Sequence, residues 1–135
     1  MKKQLLNIAL CTIMLLAISY QAKSQNYLGL SKTEIQSRFK NKEIETTLSV
    51  RDNGMTYLWF FNENEDYQTY DLNSNNICWR STIVFKEVII SELIQVFLSK
   101  GYVEYELGCY VNDEFKIKID YLTKSNRWFT TVTYK

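Results

Sequence analysis

Ile44-Glu45-Thr46-Thr47-Leu48-Ser49-Val50-Arg51-Asp52-Asn53-Gly54-Met55-Thr56-Tyr57-Leu58-Trp59-Phe60-Phe61 is the stretch on which the fold turns. Ile44 to Val50 alternates apolar with polar residues and is rich in β-branched side chains, the pattern of a strand with one covered face. Asn53-Gly54 offers a tight turn in which both residues take positive φ. Thr56 to Phe61 is the returning strand. Together they predict an antiparallel hairpin.

Toward the C-terminus, polar clusters keep punctuating apolar runs. Asn62-Glu63-Asn64-Glu65-Asp66 and Asn73-Ser74-Asn75-Asn76 read as turns around a third strand, Tyr67 to Leu72. Ile77 to Phe85 is a fourth. The period then changes. Glu87 to Lys100 carries Ile89, Ile90, Leu93, Ile94, Val96, Phe97 and Leu98, a broad apolar band that suits a helix laid on a sheet, with Gly101 free to end it at positive φ. Three strands follow: Tyr102 to Val111, Phe115 to Leu122 and Trp128 to Tyr134. Pairing Val111 with Phe115 and Leu122 with Arg127 sets apolar residues opposite apolar ones.

Toward the N-terminus, Ser31-Lys32-Thr33-Glu34 is a capping box, and Leu30 with Ile35 has the spacing of a hydrophobic staple. A short helix from Lys32 to about Lys40 follows, with Ile35 and Phe39 on one face. The sum is an α+β domain: helix, four-strand antiparallel meander, helix, three-strand antiparallel meander, with the helices packed on one sheet face.

Ahead of this domain, Lys2 and Lys3 precede an almost wholly apolar run of 14 residues, Leu5 to Ile18. Small-x-small sites end at Ser19 and Ser24. That order predicts a cleavable secretory leader over residues 1–24 and a single domain over 25–135. The run is shorter than the ~20 residues needed to cross a bilayer, so no transmembrane span is expected in the mature chain. The expected location is periplasmic or extracellular.

Composition narrows the chemistry. The chain has 16 basic and 15 acidic residues. Removing Lys2, Lys3 and Lys23 with the leader leaves 13 against 15, a net charge of −2 with no electrostatic footprint for nucleic acid. Histidine is absent, which removes Ser-His-Asp and Cys-His catalysis and imidazole metal ligands. Ten Tyr, seven Phe and three Trp suit strands and also recognition surfaces. An exported chain permits a disulfide between Cys78 and Cys109, but the strand phase sets them on opposite faces, so bridged and free states both stay open.

Three motifs invite chemistry. Asp71-x-Asn73-x-Asn75 matches the start of a calcium loop, yet the sixth and twelfth positions are Asn76 and Thr82 instead of Gly and Glu, which reads as a turn. Glu63, Glu65 and Asp66 could serve a carboxylate-dependent hydrolase if one were desolvated. The second face of the last three strands carries Tyr102, Glu104 and Tyr110, then Lys116 and Lys118, then Phe129. Aromatics among charges suit protein or glycan contacts.

Tyr27-Leu28-Gly29-Leu30-Ser31-Lys32-Thr33-Glu34-Ile35 is similar to the opening of the SmpA/OmlA family of small outer-membrane assembly lipoproteins. The resemblance covers residues 27–35. The lipid-bearing cysteine of that family is missing here, and the second half is longer. The leader and the Tyr/Asn/Lys-rich composition resemble uncharacterised small exported α+β domains of Bacteroidota, which implies membership of such a family without implying an activity. The expected function is a non-catalytic exported binding domain, with no cofactor, whose partner is another envelope or secreted protein or a glycan. An inhibitor or immunity-type protein blocking one enzyme is the second reading, and a small carboxylate-dependent hydrolase the third.

Overall fold

The computed structural model describes residues 27–62 and 65–135. The expected leader, both cleavage sites and Glu63 lie outside the described residues. Helix α1 spans Lys32–Lys40 and begins as its capping box predicts. The Glu34 amide donates to Ser31 Oγ at 3.3 Å, and the Ser31 amide donates to the Glu34 carboxylate at 2.8 Å. Ile35 and Phe39 are the buried residues of this helix. The segment leading into it is stitched to the sheet, because Gly29 N–H donates to Cys78 O and Cys78 N–H to Leu30 O.

Strands β1 (Thr47–Val50), β2 (Thr56–Phe61), β3 (Tyr67–Leu72) and β4 (Cys78–Val84) form an antiparallel meander. The first hairpin differs from the two-residue turn in one respect. Gly54 has positive φ but Asn53 does not, and Arg51 N–H donates to Met55 O, so Asp52-Asn53-Gly54 is a three-residue loop. The longer loop pairs Leu48 with Leu58. A two-residue loop would slip the register by one and set Leu48 against Trp59, on the opposite face from Leu58.

Helix α2 (Ile90–Ser99) links β4 to a second meander, β5 (Val103–Glu106), β6 (Cys109–Val111), β7 (Phe115–Leu122) and β8 (Arg127–Tyr134). The strand order is β1-β2-β3-β4-β8-β7-β6-β5, so β8 docks on β4 and the eight strands make one antiparallel sheet. The expected four-plus-three arrangement is therefore four-plus-four. The run from Tyr102 to Val111 is not one strand. It folds back at Leu107-Gly108, where Gly108 takes φ 72°, and a register shift at Tyr105 marks a bulge between β5 and β6. The β7–β8 register holds as expected, with Leu122 opposite Arg127. The β6–β7 register does not. Val111 pairs with Lys116 rather than Phe115, and a slip of one residue exchanges the two faces of the strand.

One row across the sheet shows where the core sits. Leu58, Tyr70, Ser81, Val132, Ile117 and Tyr110 are successive cross-strand partners and are all buried. Side chains of both helices join the same cluster. Phe39 of α1 meets Phe60 and Tyr70 at ring distances of 4.6 and 5.8 Å, and Phe97 of α2 meets Tyr110 at 5.4 Å. No helix among the described residues is long and apolar enough to cross a membrane.

Candidate functional site

The alternate residues of these strands form the other face, and no described element covers it. On β2 and β3 it carries Tyr57, Trp59, Phe61 and Tyr67. Near the middle sits Asp71, opposite Tyr57 on one side and Arg80 on the other, with none of its surface exposed. Such a carboxylate needs charged partners, because removing it from water unpaired costs several kcal/mol, of the order of 5 or more. Two arginines supply them. Arg51 reaches one oxygen, with Nη2 at 2.6 Å and Nε at 2.8 Å, and Arg80 Nε reaches the other at 2.5 Å. Each guanidinium also lies over a ring: Arg51 at 4.3 Å from the centre of Tyr57, Arg80 at 4.7 Å from that of Trp79. The arginines are about one-third exposed, so the cluster is buried at its acid and open at its cations. Nearby, burial and a hydrogen bond with Tyr57 push the Tyr67 hydroxyl up to about 12.

Beside this cluster the face dips into a hollow of about 400 Å³. Its shape follows from the sequence of β8. Thr131 and Thr133 are short, as is Thr82 opposite Thr131 on β4, whereas the other neighbours are long: Arg80 lies opposite Thr133 on β4, and Lys116 and Lys118 lie opposite Thr133 and Thr131 on β7. The threonines form a floor between cationic banks. Phe129 lies one step further along β8, and Trp79 and Tyr105 also line the hollow. Asp120 is the carboxylate of the lining. It pairs with Lys118 at 2.9 Å, which lowers the Asp120 pKa and raises that of Lys118. Lys116 has no carboxylate within ion-pair distance among the described residues.

The six residues that the sequence set on one surface divide between two. Lys116, Lys118 and Phe129 line the hollow. Tyr102 and Tyr110 instead belong to the core, 3% and 1% exposed. Glu104 pairs with Tyr110 and accepts its hydroxyl at 3.1 Å at the sheet margin. The reason is the one-residue slip between β6 and β7. It turns Tyr110 toward α2 and brings Cys109 opposite Lys118, on the open face. Val103, Tyr105 and Leu107, which alternate with Tyr102, Glu104 and Glu106 along the chain, are exposed. Arg51, Asp71 and Trp79 did not figure in the sequence-based site.

No protein-family model, curated protein or solved structure matches the chain.

Cys78 and Cys109, the cysteines among the described residues, are both free. Cys78 lies in the core cluster, and burial pushes its thiol up to about 12. Cys109 lines the hollow. Their strands are separated by β8 and β7, three spacings or about 14 Å, twice what a disulfide spans. The bulge opposite Leu72 sets Cys78 on the helix side, and the β6–β7 register sets Cys109 on the other, so the two lie on opposite faces of the sheet.

The remaining motifs hold turns together. Asn73 Oδ1 accepts from the amides of Asn75 and Ile77, while Asp71 is taken by its arginines. Asp66 accepts from Asn62 and from the Lys86 amide, and Glu65 pairs with Lys86. No group of three or more Cys, Asp and Glu among the described residues is placed to hold a metal ion.

Proposed function

We propose that this protein is an exported, non-catalytic binding domain of the bacterial cell envelope that engages its partner with the helix-free face of the sheet. The leader-like segment Lys2 to Ser24 supports export, and the likeness of residues 27–35 to envelope lipoproteins supports the location. The observation that carries the reading is the makeup of that face: Trp, Tyr, Phe and Arg side chains stand together around a hollow, with no described element over them. These are the residue types that concentrate binding energy at interfaces. Arg51 and Arg80 are pre-positioned by Asp71, which cuts the ordering cost on association.

The test is crosslinking and mass spectrometry of the tagged protein in its native envelope, repeated with Phe129→Ala and Trp59→Ala. Loss of one crosslinked species, at a melting temperature within a few degrees of the parent, is the expected result. Retention of every crosslink in both variants would reject the face as the docking surface. A single tightly bound enzyme among the crosslinked species would instead identify an inhibitor or immunity-type protein using the same face.

A further inference from the structure

We infer that the hollow over β8 binds an acidic saccharide, holding the carboxylate of a uronic-acid ring between Arg80 and Lys116. This rests on the helix-free face being the binding surface and names the ligand class that it takes. Three observations converge. The first is charge. Arg80 and Lys116 flank the same residue, Thr133, from opposite sides, so an anion above that threonine meets a cation on each bank. Arg80 gives Nε to Asp71, and its guanidinium has five donors in all, so others remain for a ligand. Lys116 is exposed and lacks an ion-pair partner among the described residues. Lys118, by contrast, is already engaged by Asp120.

The second observation is the floor. Thr131 and Thr133 present hydroxyls, which give and accept hydrogen bonds as the hydroxyls of a sugar ring do. The third is the wall. Phe129 supplies flat apolar surface against which the C–H face of a ring can lie, and Trp79, one face of whose ring carries the Arg80 guanidinium, lines the hollow with it. The volume of about 400 Å³ lies at the small end of ligand sites and suits a ring or two rather than a protein segment. Carboxylate, hydroxyls and a ring in one compact group are the features of a uronate.

The experiment is a heteronuclear NMR titration of the mature domain with three probes: galacturonic-acid trimer, the same trimer as its methyl ester, and hexaglutamate peptide. The trimer is expected to shift the amides of Thr131 and Thr133 and the Trp79 indole saturably. Its affinity should fall about tenfold or more in Lys116→Ala, a surface change whose melting curve reports that the fold is kept. The ester should bind about tenfold more weakly than the acid, because the charge is gone. Absence of a saturable shift with the trimer overturns the proposal, as does equal binding of acid and ester. Stronger binding of hexaglutamate overturns it in favour of an acidic peptide. Loss of the crosslink in Phe129→Ala with no response to the trimer would sink the ligand class and leave the docking face standing.

Discussion

Asp71 shows how one side chain organises the open face. It is wholly buried, and its two oxygens are shared between arginines that arrive from different places, Arg51 at the end of β1 and Arg80 on β4. Replacing Asp71 by Ala leaves two cations facing each other over apolar surface. The expected loss is about 2–3 kcal/mol in urea unfolding, less than for a fully buried ion triad because both guanidinium groups still touch water. Arg51→Ala should cost less than half as much, since Arg80 continues to satisfy the acid. An Asp71→Ala variant as stable as the parent would show that the cluster contributes nothing net. None of this was legible along the chain. Asp71 precedes an Asn-rich turn and reads as part of it, and its partners are 20 residues before and 9 residues after it. Only the registers that pair β1 to β4 bring them together.

At the scale of elements, legibility depended on whether the signal was local. The N-terminal helix is announced by its own cap, and Thr56 to Phe61 and Tyr67 to Leu72 by their composition and bounding turns, and all three have the expected limits. The segment from Tyr102 to Val111 misled because both of its phases alternate plausibly. Val103, Tyr105, Leu107, Cys109 and Val111 look like a core face, and so would Tyr102 with Tyr110. Gly108 was the available clue: an isolated glycine inside a strand pattern marks a bend. Here its φ of 72° reverses the chain, and a Cβ at this position would stand 3.2 Å from Ile119 O. Face assignment is directly testable. Tyr110→Ala removes a ring packed on Phe97 and should destabilise by about 3–5 kcal/mol. Tyr105→Ala, on an exposed residue, should stay within about 0.5 kcal/mol. Thermal unfolding of the two variants decides it, and equal losses would mean that β5 and β6 do not present the faces described. At the other end of the domain, Ser31→Ala removes a cap and should cost about 1 kcal/mol, read from the same melting curves.

Among the described residues, the acids whose pKa burial raises are tyrosine hydroxyls and a thiol, and these lose their contribution to stability on the alkaline side. Cys78 ordinarily titrates at 9.0 and is held up to about 12 by burial; Tyr67 rises from 10.0 to about 12, and Tyr70 lies well above 10.0 for the same reason. Below pH 9 these groups are protonated in both folded and unfolded chains, so the stability tied to them is fully present. Above pH 9 the unfolded chain gives up the Cys78 proton first, then those of the tyrosines, while the folded chain retains them. The unfolded state then binds fewer protons, and stability falls as pH rises through the window from 9 to about 12. Each fully shifted group contributes a slope of up to about 1.4 kcal/mol per pH unit, and Tyr67, which is only partly buried, less. The urea midpoint should therefore hold steady from pH 7 to about 8.5 and drop beyond it. General repulsion at high pH gives a similar decline, so the discriminating measurement is Cys78→Ala. That variant starts lower because of the cavity it leaves, yet its curve should stay flatter between about pH 9 and pH 10, before the tyrosines ionise. Parallel curves for parent and variant across that interval would mean that the buried thiol does not couple folding to pH.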